Sequence, residues 1–402
     1  MSTSPRSLNL APASVDDYRI LAERRLPRMF FDYIDGGSYD EVTLAANRDD
    51  FLSLKLRQRV MRDVSQIDTT ATITGEALTM PVILAPIGLA GMFARRGEVQ
   101  AVRAAEAAGI PFCLSTVGIC SLEEIRAAAT KPFWFQLYMM RDRGYVSELL
   151  QRAKAAGCNT LVFTVDLAMT ASRYRDTRNG MLGNVALNGK VALLANLLSH
   201  PRWLRDVAIG GKPLVFGNLA SYVPNARNPA DFRAWVSEQF DPSVTWKDIE
   251  WLRKQWQGTL IIKGIMDAGD ARAAVDVGAQ GIVVSNHGGR QLDGAPSTLA
   301  MLPEIAAAVG HRTDILLDGG IRNGQDVIKA IASGARAVMI GRPWAWALAA
   351  GGESAVAAML TNLHAEIKVT LALTGQTSAR EVTRDIVLTD QRQALCHQPL
   401  DR

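Results

Sequence analysis

The chain has 402 residues, 48% of them hydrophobic and 21% charged, with a formal net charge of +4. This composition supplies a large core, carries too little charge for a disordered chain, and does not call for a nucleic-acid partner. Its four cysteines, Cys113, Cys120, Cys158 and Cys396, lack metal or redox spacing, so no metal site is expected and a reducing compartment is.

In chain order, Met1 to Ala11 is polar, and no window reaches the roughly 18 uninterrupted apolar residues of a spanning helix, so neither secretion nor a membrane span is expected. Residues 12–75 read as an N-terminal extension. Short apolar, β-branched runs then recur: PVILAPIG from Pro81, PFCLST from Pro111, FWFQLY from Phe133, TLVFTVD from Thr160, LIIKGI from Leu260, GIVVSNHGG from Gly281, DILLDGG from Asp314 and AVMIGRP from Ala337. Runs that are apolar on both faces fit parallel strands covered by helices, and EVQAVRAAEAAG, RGYVSELLQRAKAAG and GQDVIKAIASGA between them show helical spacing. A doubly wound sheet would alternate in the same way, but PIGLAG lacks the spaced triple glycine of a nucleotide fold.

The predicted architecture is therefore an α/β fold, a (β/α)8 TIM barrel with its core over 81–350 and a C-terminal helical segment over 351–390, the whole 1–402 forming one domain. The spacing breaks once, where roughly ninety residues between Arg173 and Gln257 replace an ordinary connection. In a barrel the chemistry belongs at the C-terminal strand ends. Those ends carry Pro86 to Gly88, Ser115-Thr116, Gln136 to Tyr138, Thr164 to Asp166, Lys263, Ser285 to Arg290, Asp318 to Arg322 and Gly341-Arg342.

The sharpest local signal is the run from Ser285 to Gly294, SNHGGRQLDG. Its histidine can take a proton near neutral pH, its arginine can grip a carboxylate, and the glycines admit a flat ligand. The bland alternative is a packed histidine beside a solvated arginine. DGGIRNG from Asp318 and IGRP from Ile340 lie where barrels cradle a phosphate, with Arg322 and Arg342 supplying charge. A phosphorylated substrate would satisfy that cradle as well as a phosphate-bearing cofactor.

Taken in order, DYIDGG, LAPIGLAGMFARRGE, WFQLY, LVFTVD, IIKGI, VVSNHGGRQLDG, DGGIRNG and IGRP resemble the FMN-dependent 2-hydroxy-acid oxidase and dehydrogenase family, from about Asp17 to Thr389. The likeness is strongest to its bacterial respiratory L-lactate dehydrogenase branch, with (S)-mandelate dehydrogenase as a near relative. It implies FMN as cofactor and oxidation of an L-2-hydroxy acid, L-lactate to pyruvate first. (S)-Mandelate or another bulkier acid is the alternative, and another FMN or phosphate-ligand barrel enzyme the outside one.

The same resemblance makes His287 the base, acting on the substrate's C2 or its hydroxyl, with Asp166 holding the imidazole. Arg290 and Tyr33 would bind the carboxylate, Tyr138 would bond near the hydroxyl, and Arg173 would add positive charge. Lys263 would lie at the N1 and O2 edge of the flavin. Ser115, Gln136, Thr164 and the backbone at Ala85, Pro86 and Ile87 would surround the isoalloxazine; Ser285, Asp318, Gly320, Arg322, Gly341 and Arg342 would meet the ribityl phosphate. Taken alone, Asp166 reads equally as a helix cap, and each tyrosine as a core residue with a satisfied hydroxyl.

Gly88 matches the dehydrogenase members, whereas oxygen-using members tend to have alanine there. With no haem-attachment cysteine pair, the resemblance implies a membrane quinone or other respiratory acceptor. Residues 178–222 carry Arg178, Lys190, Arg202, Arg205 and Lys212 against one acid, Asp206, together with VALLANLL and Trp203. That pattern suits a segment lying in a membrane interface, or a lid; the resemblance favours peripheral attachment at the cytoplasmic side of the inner membrane, and a homotetramer. Ala168 and Ala171 stand where the family usually has proline and glycine, so the loop carrying Arg173 is expected to differ in shape.

Overall fold

Each of the eight apolar runs forms a strand in the computed structural model, which describes residues 11–181, 186–222 and 238–388. The strands are β1 (Val82–Leu84), β2 (Cys113–Ser115), β3 (Trp134–Leu137), β4 (Thr160–Thr164), β5 (Thr259–Ile265), β6 (Gly281–Val284), β7 (Asp314–Asp318) and β8 (Ala337–Ile340). All pair in parallel with their chain neighbours, β8 returns to β1, and a Leu84 to Phe112 bridge closes β1 onto β2. Because side chains alternate along a strand, both faces need apolar residues here. Ile83, Trp134, Val162, Ile261, Leu316 and Met339 point inward and fill the barrel, while Leu84, Leu161, Phe163, Ile262, Leu317 and Ile340 face the surrounding helices. The result is a (β/α)8 barrel.

Outside the barrel wall, helices α1 (Val15–Arg25), α2 (Arg28–Asp35) and α3 (Val42–Ser53) precede it. A hairpin over 71–78 places Ile73 and Leu78 in the barrel interior and plugs its N-terminal end. The barrel helices follow as α4 (Gly97–Ala108), α5 (Leu122–Ala128) and α6 (Arg143–Ala155). Side chains start them locally: Ser121 and Glu124 form a capping box, and Asp142 accepts from the Tyr145 backbone.

The long connection after β4 begins with α7 (Tyr174–Arg178) and α8 (Leu187–Leu198). Helix α8 has no buried residue, and Leu187, Val191, Leu194 and Leu198, spaced to share one side, are all exposed. Trp203 corrects the sequence expectation. Rather than joining that outer face it is buried, stacked on Phe30 at 4.9 Å and donating to the Met92 carbonyl at 2.8 Å. An indole that finds both a ring and an acceptor inside the protein has no reason to seek an interface.

The chain then resumes the barrel with α9 (Trp246–Gln255), α10 (Ala268–Asp276), α11 (Thr298–Val309), α12 (Gly324–Ala332) and α13 (Arg342–Leu373). Helix α13 is long and apolar enough to cross a membrane, a property that counting uninterrupted apolar residues misses. It bends at Gly351-Gly352 and buries Trp344, Leu348, Val356, Leu360 and Ile367 against α1, α4 and α12. One side of it is core, while Val369 and Leu373 near its end stay exposed.

Candidate active site

The site grows from the turn after β6. His287, Gly288 and Gly289 have φ of 58°, 66° and 72°, a left-handed run that reverses the chain abruptly. Only glycine fits at position 289, since a Cβ there would fall 2.6 Å from the Leu44 nitrogen of α3. A left-handed histidine is uncommon and needs fixing by its surroundings. Asn286 and Asn47 exchange two side-chain bonds of 2.8 Å, and Asn286 also accepts from the Gly289 backbone. Ser285 Oγ accepts from the His287 backbone at 3.1 Å.

So held, His287 places Nδ1 2.7 Å from Asp166 Oδ1 at the end of β4. A carboxylate facing Nδ1 keeps the proton there and leaves Nε2 as the free basic nitrogen. Burial would raise the Asp166 pKa, but His287, and behind it Lys263, hold it below the ordinary value. Lys263, buried on β5, donates to Ser285 Oγ at 2.7 Å and pairs with Asp318 Oδ2 at 2.7 Å. Desolvation opposes its charge, yet Asp318 and Asp166 raise its pKa overall, so a fixed cation stands at the centre of the barrel mouth.

Arg290 reaches back to the N-terminal helices. Its guanidinium lies 4.8 Å over the Tyr33 ring, and its Nη1 donates to the carbonyls of Tyr33 and Gly36 at 2.6 and 2.9 Å. Arg173 approaches the same ring at 5.4 Å. Arg290 has no carboxylate partner among the described residues, and burial together with Arg173 pushes its pKa down. An anion between these groups relieves that strain. The Tyr138 ring lies 6.5 Å from that of His287 and 5.1 Å from that of Phe240. Burial raises its pKa, so it stays a neutral phenol.

At the ends of β7 and β8 lie two more arginines without a carboxylate partner among the described residues. Burial and neighbouring arginines push Arg322 down to about 10 and Arg342 down to about 9. A guanidinium keeps its proton in proteins, so the unmet charge makes this a place where an anion would be favoured. Arg342 donates to the carbonyls of Ile34, Gly36 and Gly288, and Arg322 stacks 4.9 Å over Trp346. Gly320 allows the backbone approach here, as its Cβ would collide with the Asn47 carbonyl at 2.0 Å.

One cavity gathers Tyr33, Ala85, Pro86, Ile87, Tyr138, Thr164, Lys263, His287, Arg290, Asp318, Gly320, Arg322, Gly341 and Arg342. Ser115, Gln136, Ser285 and Arg173 are not among its lining residues: Ser115 and Gln136 are buried and joined at 3.1 Å, Ser285 accepts from Lys263, and the Arg173 guanidinium lies over Tyr33. Several buried polar atoms at the site have no hydrogen-bond partner, Gln136 Nε2, Thr164 Oγ1 and Asp318 Oδ1 among them. A donor, a hydroxyl and an acceptor left open on three strands, with a lone arginine pair beyond them, fit the polar edge and phosphate of a flavin mononucleotide.

Sequence reasoning missed the clamp that sets this geometry. Gln291 Nε2 donates to the carbonyls of Asp166 and Met169 at 2.8 and 2.9 Å, and Asp293 accepts from the Thr43 backbone at 2.8 Å. These residues lay inside the quoted motif, but only the histidine and arginine carry an obvious chemical signal. Val117 also borders the cavity; a Cβ at Gly88 would lie 2.8 Å from its Cγ2 and 3.2 Å from the Tyr33 hydroxyl.

A family model described as FMN-dependent dehydrogenase matches residues 22–389. Among curated relatives, an L-lactate dehydrogenase of Caulobacter vibrioides is 51% identical, over 93% of this chain and 97% of its own. Another from Actinobacillus pleuropneumoniae is 50% identical, over 94% and 98%. Among solved structures, the monotopic membrane protein (S)-mandelate dehydrogenase superposes with a TM-score of 0.88 at 35% identity, over 94% of this chain and all (100%) of that one. A mandelate oxidase with (S)-4-hydroxymandelic acid gives 0.81 at 38% identity, over 94% and 99%.

Proposed function

We propose, from the premise that the chain belongs to the FMN-dependent dehydrogenase family, that it oxidises L-lactate to pyruvate and delivers the electrons to a membrane quinone. The broader activity, FMN-dependent oxidation of an L-2-hydroxy acid, follows from the family and from relatives of about 50% identity. The observation that carries the residue-level reading is the His287 to Asp166 contact of 2.7 Å beside an arginine that lacks a carboxylate.

In this reading Arg290, Tyr33 and Arg173 seat the substrate carboxylate. His287 Nε2 removes the proton, and Asp166 stabilises the imidazolium that results. Tyr138, kept neutral, donates near the substrate hydroxyl. Ser115, Gln136, Thr164, Lys263 and the backbone of Ala85 to Ile87 would hold the isoalloxazine; Ser285, Asp318, Gly320, Arg322, Gly341 and Arg342 would hold the ribityl phosphate. Bound FMN supplies the two-electron acceptor, and the Lys263 cation stands ready for the negative charge that reduction brings.

L-Lactate leads because the curated relatives named above are L-lactate dehydrogenases. (S)-Mandelate is the second reading, favoured by the fold match to a mandelate dehydrogenase. Peripheral membrane contact is supported by the exposed row Leu187, Val191, Leu194 and Leu198, which can enter an acyl boundary while nearby cations meet anionic headgroups.

The deciding experiment is anaerobic mixing of the FMN-loaded protein with L-lactate, D-lactate and (S)-mandelate in turn, followed at the flavin absorbance. Rapid bleaching by L-lactate alone supports the first reading, and preferential bleaching by (S)-mandelate supports the second. A flavin that no L-acid bleaches overturns both. Adding a ubiquinone analogue to the bleached protein should restore the colour; failure to do so removes the quinone.

A further inference from the structure

Helix α2 ends with its last carbonyls facing the site, where an α-helix leaves such groups without intrahelical partners and where cations are favoured. Two site arginines fill that role. Arg290 takes the carbonyls of Tyr33 and Gly36, and Arg342 takes those of Ile34 and Gly36. Any tilt of this helix end moves Tyr33 and both guanidiniums together.

The helix end is pinned from its other side by Asp35. Its carboxylate is buried and bridges Arg19 of α1, at 2.5 and 2.8 Å, to Arg175 of α7, at 2.8 Å. Arg175 also grips Glu41 at 2.5 Å, and Glu41 accepts from the Gly37 backbone at 2.9 Å. Arg175 stands two positions beyond Arg173, whose guanidinium lies over Tyr33. The carboxylate touches neither the cavity nor any atom that reacts, yet it joins the N-terminal helix, the insertion and the anion seat.

We infer that Asp35 is a positioning residue for the substrate carboxylate: by locking α2 between Arg19 and Arg175 it sets where Tyr33 and Arg290 present themselves. This inference rests on the assignment of Tyr33 and Arg290 to the carboxylate made above. It separates from a simple field effect by sign. Asp35→Asn removes a negative charge near an anion seat, which by charge alone tightens an anionic substrate; Arg175→Gln removes a positive one and by charge alone weakens it. Positioning makes both changes weaken binding.

The test is steady-state and stopped-flow kinetics of FMN-loaded Asp35→Asn and Arg175→Gln against the parent with the L-acid that bleaches it, with flavin content and melting temperature measured on each. Both variants should raise KM about tenfold with kcat within about threefold, and weaken inhibition by the 2-oxo acid product in parallel. KM for Asp35→Asn equal to or below the parent's, at normal flavin content, overturns the inference, whatever happens to the melting temperature. If Asp35→Asn does not fold, Arg175→Gln decides together with Arg175→Lys: a rise in KM even when charge is kept supports positioning, and an unchanged KM in the lysine variant overturns it. A parent flavin that no L-acid bleaches would instead overturn the functional reading.

Discussion

His287 and Asp166 are 121 positions apart in the chain, and their Nδ1 and Oδ1 atoms meet at 2.7 Å. The contact spans the ends of β4 and β6, so it exists only when both have paired with β5 between them. Replacing His287 by Asn should leave flavin bound but slow its reduction by substrate by about 10²–10⁴-fold, the usual weight of a general base. Asp166→Asn should act in the same direction. Anaerobic stopped-flow measurement checks both, and near-normal reduction in the histidine variant removes it from the mechanism.

Lys263 and Asp318 form a buried pair at 2.7 Å, with side chains only 6% and 10% exposed. Removing one partner strands the other charge, which costs about 3–5 kcal/mol in such settings. Lys263→Met should therefore lower the melting temperature of the apoprotein, and Lys263→Met with Asp318→Leu should recover part of the loss. Thermal scans of the single and double variants measure this, and a stable single variant would argue against an ionised pair.

Arg322 and Arg342 carry charge without a carboxylate partner among the described residues, so an anion should stabilise the empty site. Inorganic phosphate should raise the melting temperature of the apoprotein, and FMN should raise it further. Arg322→Gln should weaken FMN binding by about 1.5–3 kcal/mol, the range for hydrogen bonds to charged groups. Fluorescence titration of the apoprotein with FMN gives the affinity, and equal binding by parent and variant would rule out a phosphate contact.

Acid stability should report on Asp35. Burial alone would raise its pKa, but Arg19 and Arg175 hold it below the ordinary carboxylate value. Because the folded value is the lower one, the stabilisation is complete above the unfolded value of about 3.9 and is lost as pH falls through the folded value. The melting-temperature gap between parent and Asp35→Asn should thus stay constant from neutral pH down to about 5 and close at lower pH. A gap that persists in strong acid would mean the carboxylate is not the source.

The exposed row on α8 predicts a separable function. Changing Val191, Leu194 and Leu198 to Ser together should reduce co-sedimentation with anionic phospholipid vesicles about tenfold or more, since each exposed aliphatic side chain is worth about 1.5–3 kcal/mol when buried. Flavin reduction by the L-acid should be unchanged in detergent. Undiminished vesicle binding would place the contact elsewhere.

Much of this protein was legible in its sequence because periodicity and composition are local properties. Strands apolar on both faces declared a covered parallel sheet, and a histidine and an arginine three positions apart at a strand end marked the turn to which the carboxylate seat is assigned. Other features had no local signature. Asp166 read equally as a helix cap, and only the pairing of β4 and β6 with β5 set it against His287. Trp203 looked like an interfacial residue until Phe30 and the Met92 carbonyl enclosed it. Asn47, Asp35, Gln291 and Asp293 are ordinary polar residues in sequence, and their roles depend on partners more than a hundred positions away. The chain by itself determined the barrel and the polar residues at its strand ends, since both follow from residue type and spacing, whereas the flavin entered through the family resemblance of its motifs. The tertiary structure alone decided which carboxylate backs the histidine and how the N-terminal helix seats the arginines, because those contacts form only when distant segments are brought within hydrogen-bond range.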